Sequence, residues 1–299
     1  MSETHSFLPK TTYFLGDSWC YYKFYAGPKT TDLLLTQTLS PLADHLLSED
    51  YIDAWFFIRY MDPHPHLRFR LHLRNQEDLL SLIKQVHAAL SPWVENRLVW
   101  RVQTDTYERE IERYSRALME LSEDVFYHDS RMVVGILKHF KDDSSEHMRW
   151  LIALRANDRL LNDFKLTLAD RSELVQKSRD SVSPEVWRTK LLRQQLDTKY
   201  RRNKSDIEAV LNAADDLPGE YAPLNEIIAA RSIALQPLAE RIIEQTTRID
   251  GGVNRNDLLQ SFLHMMNNRF FRTRQNLHEL VIYDFLALYY RSCLARQKR

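Results

Sequence analysis

The spacing of apolar residues changes about a third of the way along the chain. Up to residue 104, short apolar and aromatic runs alternate with amphipathic stretches, a pattern typical of strands and helices that share a sheet. Thr30 or Thr31 would cap the first of these helices. The elements predicted are strands over 17–25, 51–60, 66–74 and 97–104, and helices over 31–47 and 76–94.

After residue 104, apolar residues recur at three- and four-residue intervals, which is the period of an α-helix. The predicted fold class is α+β, with a small, mostly antiparallel sheet in the N-terminal third packed against a predominantly helical remainder. We expect a single domain over 1–299, with a mixed α/β part over about 10–104 and a helical part over about 105–299. Helices are predicted over 107–121, 130–140, 146–168, 184–213, 223–249, 257–271 and 276–295.

Composition narrows the possible functions. The chain of 299 residues has only six glycines, so it contains no dinucleotide-binding loop, no P-loop and no G-x-S-x-G nucleophile elbow. Lys+Arg and Asp+Glu both number 41, and this zero net charge argues against direct nucleic-acid binding. Cys20 and Cys293 are far apart, and neither a signal peptide nor a membrane-length apolar run is visible. We therefore expect a cytoplasmic protein with reduced thiols and no membrane contact.

The predicted strand 66–74 has two unlike faces, because side chains alternate along a strand. One face carries Leu67, Phe69, Leu71 and Leu73, and the other carries His66, Arg68, Arg70, His72 and Arg74. The second face is either a polar sheet surface exposed to solvent or a pocket for an anion. Like charges in a row repel, and guanidinium groups match carboxylate oxygens, so the row favours a pocket for a dicarboxylate or a polyanion.

Two helical segments add candidate residues. Arg109 and Arg113 are four residues apart and would share one face of the predicted helix 107–121. They either pair with neighbouring glutamates or join the pocket. His264 and Asn268 are also four apart, and although a lone histidine is more often structural, its ordinary pKa suits proton transfer near neutrality.

No metal site is predicted. His64, His66 and His72 lie close together in sequence, but no cysteine or carboxylate pattern completes a ligand set. Nothing in the sequence requires an organic cofactor either.

Three segments, in the same order as in the family, resemble the motifs of the thiopeptide-type bacteriocin biosynthesis domain. This family comprises the C-terminal, glutamate-elimination domain of class I lanthipeptide dehydratases, and the resemblance implies a free-standing form of that domain. The segments are WFFIRYMDPHPHLRFRLHL over 55–73, DTYEREIERY over 105–114 and SFLHMMNNRFF over 261–271. The family often has two glycines after the second motif, whereas Ser115 and Arg116 stand here. We therefore expect the helix to continue through this point.

The resemblance implies a split dehydratase and a carbon–oxygen lyase. A separate glutamyl-tRNA-dependent glutamylation protein would esterify Ser or Thr of a precursor (leader-core) peptide. This chain would then eliminate glutamate and leave dehydroalanine or dehydrobutyrine. The implied partners are that peptide and that protein, and a homodimer stays open. The resemblance gives catalytic roles to Arg68, Arg70 and His264, and glutamate-carboxylate binding to Arg109 or Arg113 together with His66, Asn268 and Arg269. Whether His264 acts as acid or base is open.

Two other functions stay open. Relatives of this family form the pyridine or dehydropiperidine macrocycle of thiopeptides by a [4+2] cycloaddition between two dehydroalanines. The presence of all three motifs favours elimination over this reaction. The third alternative is a non-catalytic partner that holds the precursor peptide, with 17–25 as an edge strand that accepts the leader.

Overall fold

The computed structural model describes residues 10–140, 146–182, 189–213, 216–217, 219–248 and 253–297. The chain forms two compact units, 1–124 and 125–299. The first unit contains a four-stranded antiparallel sheet in the order β3–β4–β2–β5. Its strands are β2 (Trp19–Ala26), β3 (Ile52–Met61), β4 (Pro65–Leu73) and β5 (Val99–Thr104). The predicted α+β class with a small antiparallel sheet is confirmed, while the single domain over 1–299 stays a prediction.

Two predicted helices of the first unit are present. One runs without a break through α1 (Pro28–Leu34), a π-helical turn (Leu35–Leu39) and α2 (Ser40–Ser48). The other is α3 (Leu79–Glu95), which follows a short 3-10 helix (Gln76–Asp78).

The predicted threonine cap of the first helix is wrong. The residue at the cap position is Gly27, because Pro28 has the fixed backbone angle that suits the first helical position. Thr31 lies inside the first turn, where its hydroxyl donates to the Pro28 carbonyl at 2.7 Å.

The helix predicted over 107–121 is also wrong. A short strand β6 (Tyr107–Glu108) pairs with β1 (Thr12–Tyr13), and only α4 (Ile111–Tyr114) is helical before the next long helix. Burial alternates here, since Tyr107 and Arg109 are buried while Glu108 and Glu110 are exposed, and this is the period of a strand. Arg109 and Arg113 therefore do not share a helical face.

The chain does not continue as a helix after Tyr114 either. Ser115 has φ 58° and ψ 158°, a conformation that ends α4 although no glycine is present.

The strand proposed as an open edge lies inside the sheet. β2 pairs with β4 on one side and with β5 on the other, so β3 and β5 are the edge strands. Leader-peptide addition is therefore excluded along 22–25, where the backbone groups of β2 are paired on both sides.

The second unit is helical. The helix α5 (Met119–Leu137) begins in the first unit and covers residues 130–137 of the predicted 130–140 helix. The predicted 146–168 helix ends at Asp163, before Lys165 adopts φ 57°. The predicted 184–213 helix begins outside the described residues, and its described part is two helices that meet at Asn203. The remaining helices are α6 (Glu146–Asp163), α7 (Leu168–Val182), α8 (Lys190–Arg202), α9 (Lys204–Asn212), α10 (Asn225–Arg248), α11 (Arg255–Phe270) and α12 (Gln275–Gln297).

Membrane-spanning length and apolarity are not found in any helix of the described ranges.

Candidate active site

Both faces of β4 carry buried residues. Its apolar residues Leu67, Phe69, Leu71 and Leu73 are buried, as the alternation predicts. On the opposite face, His66 and Arg70 are also buried, with 2% and 7% of their surface exposed. This face is therefore not a simple solvent-exposed sheet surface.

A cavity of about 690 Å³ lies over the cationic face of β4, within the first unit. The segment 105–113 forms one wall, where the ring of Tyr107 lies 5.7 Å from Trp19 and 6.0 Å from Phe56. The cavity is lined by Thr11, Tyr21, Lys23, Arg68, Arg70, Asp105, Thr106, Glu108, Arg109, Glu110, Ile111, Glu112 and Arg113.

Arg70 is held by aromatic rings and not by a carboxylate. Its guanidinium carbon lies 4.4 Å from the ring centres of both Tyr21 and Tyr107, and 5.1 Å from that of Phe56. Among the described residues, its Nε–H has no hydrogen-bond partner and no carboxylate pairs with the group. Burial lowers the pKa of Arg70, but an arginine with so high an ordinary pKa stays charged near neutrality. The cavity thus has a buried cation at its floor.

Arg68 is oriented by His66 and Tyr60. The His66 Nδ1 lies 2.9 Å from the His64 carbonyl, which can only accept, so this nitrogen carries the proton. The His66 Nε2 is then an acceptor for the Arg68 Nε–H at 3.5 Å. Burial lowers the pKa of His66, which favours this neutral form. The guanidinium of Arg68 lies 3.5 Å above the Tyr60 ring, and no described carboxylate pairs with it.

The other cations near this face have acidic partners. The His72 Nδ1 lies 2.6 Å from Asp53, and the half-exposed Arg74 lies 3.4 Å from Asp50. Lys23 pairs with Asp105 at the cavity wall. Within the described part of β4, Arg68 and Arg70 are therefore the cations left available to an anion.

Arg109 and Arg113 both line the cavity but differ in their surroundings. Arg109 is buried and donates its Nε and Nη2 to Glu123 at 2.9 and 2.6 Å. Burial alone would lower the pKa of Arg109, but the hydrogen bonds and charge of Glu123 outweigh it, and the pKa is raised. Arg113 is half-exposed and pairs with the exposed Glu110 at 3.2 Å, an arrangement that solvent screens and a ligand can displace.

In the second unit, His264 on α11 forms a pair with a buried carboxylate. Its Nδ1 lies 2.9 Å from Glu279 on α12, whose side chain is only 2% exposed. Gln275 also donates to Glu279, at 2.6 Å. A carboxylate acceptor on Nδ1 favours the tautomer with the proton on Nδ1, so Nε2 is the basic nitrogen of a side chain that is 43% exposed. The pair can therefore move a proton through Nε2.

Asn268 and Arg269 lie on the same helix in different environments. Asn268 donates to Gln275 at 2.7 Å and so belongs to the group around His264. Arg269 is fully buried and donates to the Ser130 hydroxyl at 3.1 Å and to the Met265 carbonyl at 2.9 Å.

Several residues of these two groups were not predicted from the sequence. Tyr21, Tyr107 and Glu123 surround the buried arginines, and Gln275 and Glu279 hold His264. The alternation over 107–110 was a usable signal for the buried Tyr107. The pairing of His264 with a residue of the next helix leaves no mark in the local sequence pattern.

No group of three His, Cys, Asp or Glu side chains suited to a metal ion occurs within the described ranges.

The fold and the three motifs define the class of protein. The chain belongs to the family described as lantibiotic biosynthesis dehydratase C-term, whose model matches residues 19–290. A curated relative is the subtilin biosynthesis protein SpaB of Bacillus subtilis, 24% identical over 272 residues, which are 89% of this chain and 25% of that protein. Another is the nisin biosynthesis protein NisB of Lactococcus lactis subsp. lactis, 28% identical over 131 residues, 44% of this chain and 13% of that protein. The chain thus spans about a quarter or less of the length of these relatives.

Solved structures share the fold. The tRNA-dependent lantibiotic dehydratase MibB from Microbispora sp. 107891 matches with a TM-score of 0.71 and 20% identity, over 95% of this chain and 29% of that one. The pyridine synthase TbtD from thiomuracin biosynthesis matches with a TM-score of 0.64 and 14% identity, over 92% of this chain and 99% of that one. Both likenesses are to the fold.

Proposed function

We propose that this protein eliminates glutamate from glutamylated Ser or Thr residues of a precursor peptide, as the elimination component of a split lanthipeptide or thiopeptide dehydratase. The observation that carries the proposal is the cavity of the first unit, where Arg68 and Arg70 have no carboxylate partner among the described residues. An unpaired buried cation is unfavourable unless an anion occupies the site for part of the reaction cycle.

The reaction develops negative charge at two places. A base removes the α-proton of the esterified residue, the electron pair forms the carbon–carbon double bond, and the bond to the ester oxygen breaks. Glutamate leaves through its side-chain carboxylate. The peptide carbonyl beside the α-carbon gains enolate character, and the departing carboxylate gains charge. Arg70 is assigned to this developing charge, because a buried cation already held in place by aromatic rings needs no reorganisation during the reaction.

Arg68 and Arg113 are assigned to recognition of the glutamyl group. The leaving group carries a free α-carboxylate in addition to the ester, and a guanidinium fork binds such a group through two hydrogen bonds. Arg113 exchanges its exposed partner Glu110 for the ligand. Arg109, whose charge is already neutralised by Glu123, has a supporting role.

His264 is assigned to proton transfer. The Glu279 carboxylate holds the ring through Nδ1, so Nε2 can take the α-proton or protonate the departing carboxylate. General acid–base help of this kind contributes about 10²–10⁴-fold. The proposed partners are the precursor peptide and a separate glutamyl-tRNA-dependent glutamylation protein.

A mass spectrum of a glutamylated precursor peptide, recorded after incubation with the purified protein, tests the proposal. The wild type is expected to release one glutamic acid per ester. Arg70→Ala and His264→Ala are expected to leave the ester intact. Normal elimination by both variants would contradict the assignment of these residues, and an unchanged ester with the wild type would contradict the function.

Two matched variants control for nonspecific damage. Arg74→Ala removes a half-exposed cation that directly follows β4 and pairs with Asp50. His147→Ala removes a histidine that, like His264, is partly exposed and lies near a carboxylate, Asp206 at 3.2 Å. Both are expected to eliminate glutamate at the wild-type rate.

A [4+2] cycloaddition between two dehydroalanines is the second candidate. The likeness to the pyridine synthase TbtD, which extends over 92% of this chain, favours it. If the wild type leaves the glutamyl ester unchanged, a peptide that already carries dehydroalanines is the next substrate. Closure of a macrocycle would then establish this reaction in place of elimination. Capture of that peptide without any change in mass would instead support the non-catalytic partner.

A further inference from the structure

We propose that Tyr107 is a positioning residue for Arg70, and that Glu123 holds the Tyr107 ring in the place where it does this. The inference rests on the proposed function, because Arg70 is the cation assigned to the reacting charge. Tyr107 and Glu123 are not themselves proposed to touch the substrate.

Arg70 is held by aromatic rings on two sides. Its guanidinium carbon lies 4.4 Å from the Tyr21 ring centre and 4.4 Å from the Tyr107 ring centre, and its Nε–H has no hydrogen-bond partner among the described residues. Ring faces attract a guanidinium and orient its plane without using its N–H groups. The two tyrosines therefore fix Arg70 and leave its donors for a ligand.

The Tyr21 and Tyr107 rings are anchored differently. Tyr21 belongs to β2 and lies directly opposite Arg70 in the β2–β4 register, so the sheet itself places it. Tyr107 comes from the two-residue strand β6, which the four-stranded sheet does not include. A short strand of this kind gives little support to its side chains, and the Tyr107 ring needs a further tether.

Glu123 provides that tether. The Tyr107 hydroxyl donates to Glu123 Oε1 at 2.7 Å. The same carboxylate accepts two hydrogen bonds from Arg109, whose Nη1 in turn donates to the Lys10 carbonyl at 2.8 Å. All three side chains are buried, so the network is closed from water.

The network also separates the charges of the two buried arginines. Glu123 neutralises the charge of Arg109 directly. It affects Arg70 only through the neutral Tyr107 side chain, to which it is hydrogen-bonded. A carboxylate bonded directly to Arg70 would compete with an anionic substrate. A tyrosine tethered to a carboxylate orients the same cation and leaves its charge uncompensated.

The experiment compares two substitutions of Tyr107 with a control. Tyr107→Phe keeps the ring, and Tyr107→Leu removes it. Since a displacement of about 1 Å at the reacting group can lower a rate about 10²-fold, we expect Tyr107→Leu to lower kcat for glutamate elimination by about 10–100-fold, with KM changed less than about threefold. We expect Tyr107→Phe, which keeps the ring but loses the hydroxyl's hydrogen bond to Glu123, to lower kcat by about 3–10-fold, less than Tyr107→Leu does.

Tyr22→Leu is the matched control. Tyr22 is buried to the same degree as Tyr21 but lines a different cavity with α3, on the other face of the sheet. Its loss reduces packing in the same unit without affecting Arg70. We expect an unchanged kcat for this variant in the folded fraction.

A double-mutant cycle shows whether Tyr107 acts through Arg70. In an Arg70→Lys background, Tyr107→Leu is expected to lower kcat further by less than about threefold, because the planar group that the ring orients is already gone. A full additional loss would contradict the inference, since Tyr107 would then act independently of Arg70.

A spectroscopic measurement keeps the inference testable without turnover. In NMR spectra of arginine-labelled protein, the Arg70 side-chain signals are expected to be shifted by the adjacent rings. Tyr107→Leu should reduce that shift most, and Tyr107→Phe, whose ring has lost its hydrogen bond to Glu123, should reduce it less. If the wild type eliminates glutamate but Tyr107→Leu changes neither kcat nor this signal, the inference fails alone. If the wild type does not eliminate glutamate, the proposed function fails, whatever the signal shows.

Discussion

The buried pair Arg109–Glu123 allows a quantitative prediction of how one substitution changes the stability of the first unit. In Glu123→Ala the guanidinium of Arg109, whose side chain is 3% exposed, loses its two hydrogen bonds to the carboxylate. It keeps the bond to the Lys10 carbonyl, and Glu120 at 3.8 Å compensates little because it is 72% exposed. Breaking a buried pair by removing one partner costs about 3–5 kcal/mol, so we expect a loss of about 4 kcal/mol in the first unit.

The net contribution of the Arg109–Glu123 pair to stability is much smaller than the cost of leaving Arg109 unpaired. Replacing both partners by apolar residues of similar size is close to neutral in many proteins. The double variant Arg109→Met/Glu123→Leu is therefore expected to recover to within about 2 kcal/mol of the wild type. Glu123→Gln, which keeps an acceptor for Tyr107, should fall between the wild type and Glu123→Ala.

Amide hydrogen exchange, resolved by peptides from β2 and β4, measures the effect on the first unit separately from the helical unit. A loss of about 4 kcal/mol corresponds to exchange about 10³-fold faster for amides that open with the whole unit. A change of less than about 1 kcal/mol in this free energy in Glu123→Ala would refute the expected cost of leaving Arg109 unpaired. This cost is also refuted if the double variant is no more stable than Glu123→Ala.

Three further predictions concern other parts of the chain. Ser115→Gly relieves a backbone conformation that costs a non-glycine residue about 1–3 kcal/mol. It also removes the hydroxyl that accepts a hydrogen bond from the Leu118 N–H, so we expect the unfolding midpoint to rise by an amount equivalent to about 1 kcal/mol. Burial raises the pKa of Asp284 to about 6 from an ordinary 3.8, so the folded state binds this proton more tightly than the unfolded state. The contribution of protonated Asp284 to the free energy of unfolding is fully present below about pH 4 and is lost as the pH rises to about 6, a change of about 3 kcal/mol. The difference in unfolding free energy between the wild type and Asp284→Asn should show this slope, and a constant difference from pH 4 to 6 would contradict it. Glu279→Gln should lower kcat for glutamate elimination by about 10²-fold without changing KM, and a kcat equal to the wild type in single-turnover experiments would remove Glu279 from the support of His264.

The sequence predicted the sheet well where strands are long. Over 66–74, alternation continues for nine residues, and β4 forms with the predicted faces. The same alternation over 107–110 is only four residues long, and the glutamates and arginines that follow fit a helix equally well. Tertiary pairing with β1 decides the outcome there, and local pattern carries no information about it.

The candidate site was predicted in part for the same reason. The alternation placed Arg68 and Arg70 on one face, because that follows from strand geometry alone. It could not distinguish Arg70 from Arg74, because the difference is made by distant residues, Tyr107 over one and Asp50 beside the other. The partner of His264 was missed because Glu279 lies on the next helix, and the contact depends on how α11 and α12 pack.

The different support of the two buried arginines has a consequence for how this family evolves. Arg70 has no described carboxylate partner, so an apolar residue of similar size at this position would not leave an unpaired charge. Loss of Arg109 alone is unfavourable, because it would leave the buried Glu123 carboxylate without its cationic partner. A lineage that abandons the chemistry should therefore lose the arginine at position 70 early and keep the one at 109. Among related sequences, that combination would identify members that have kept the fold and given up the reaction.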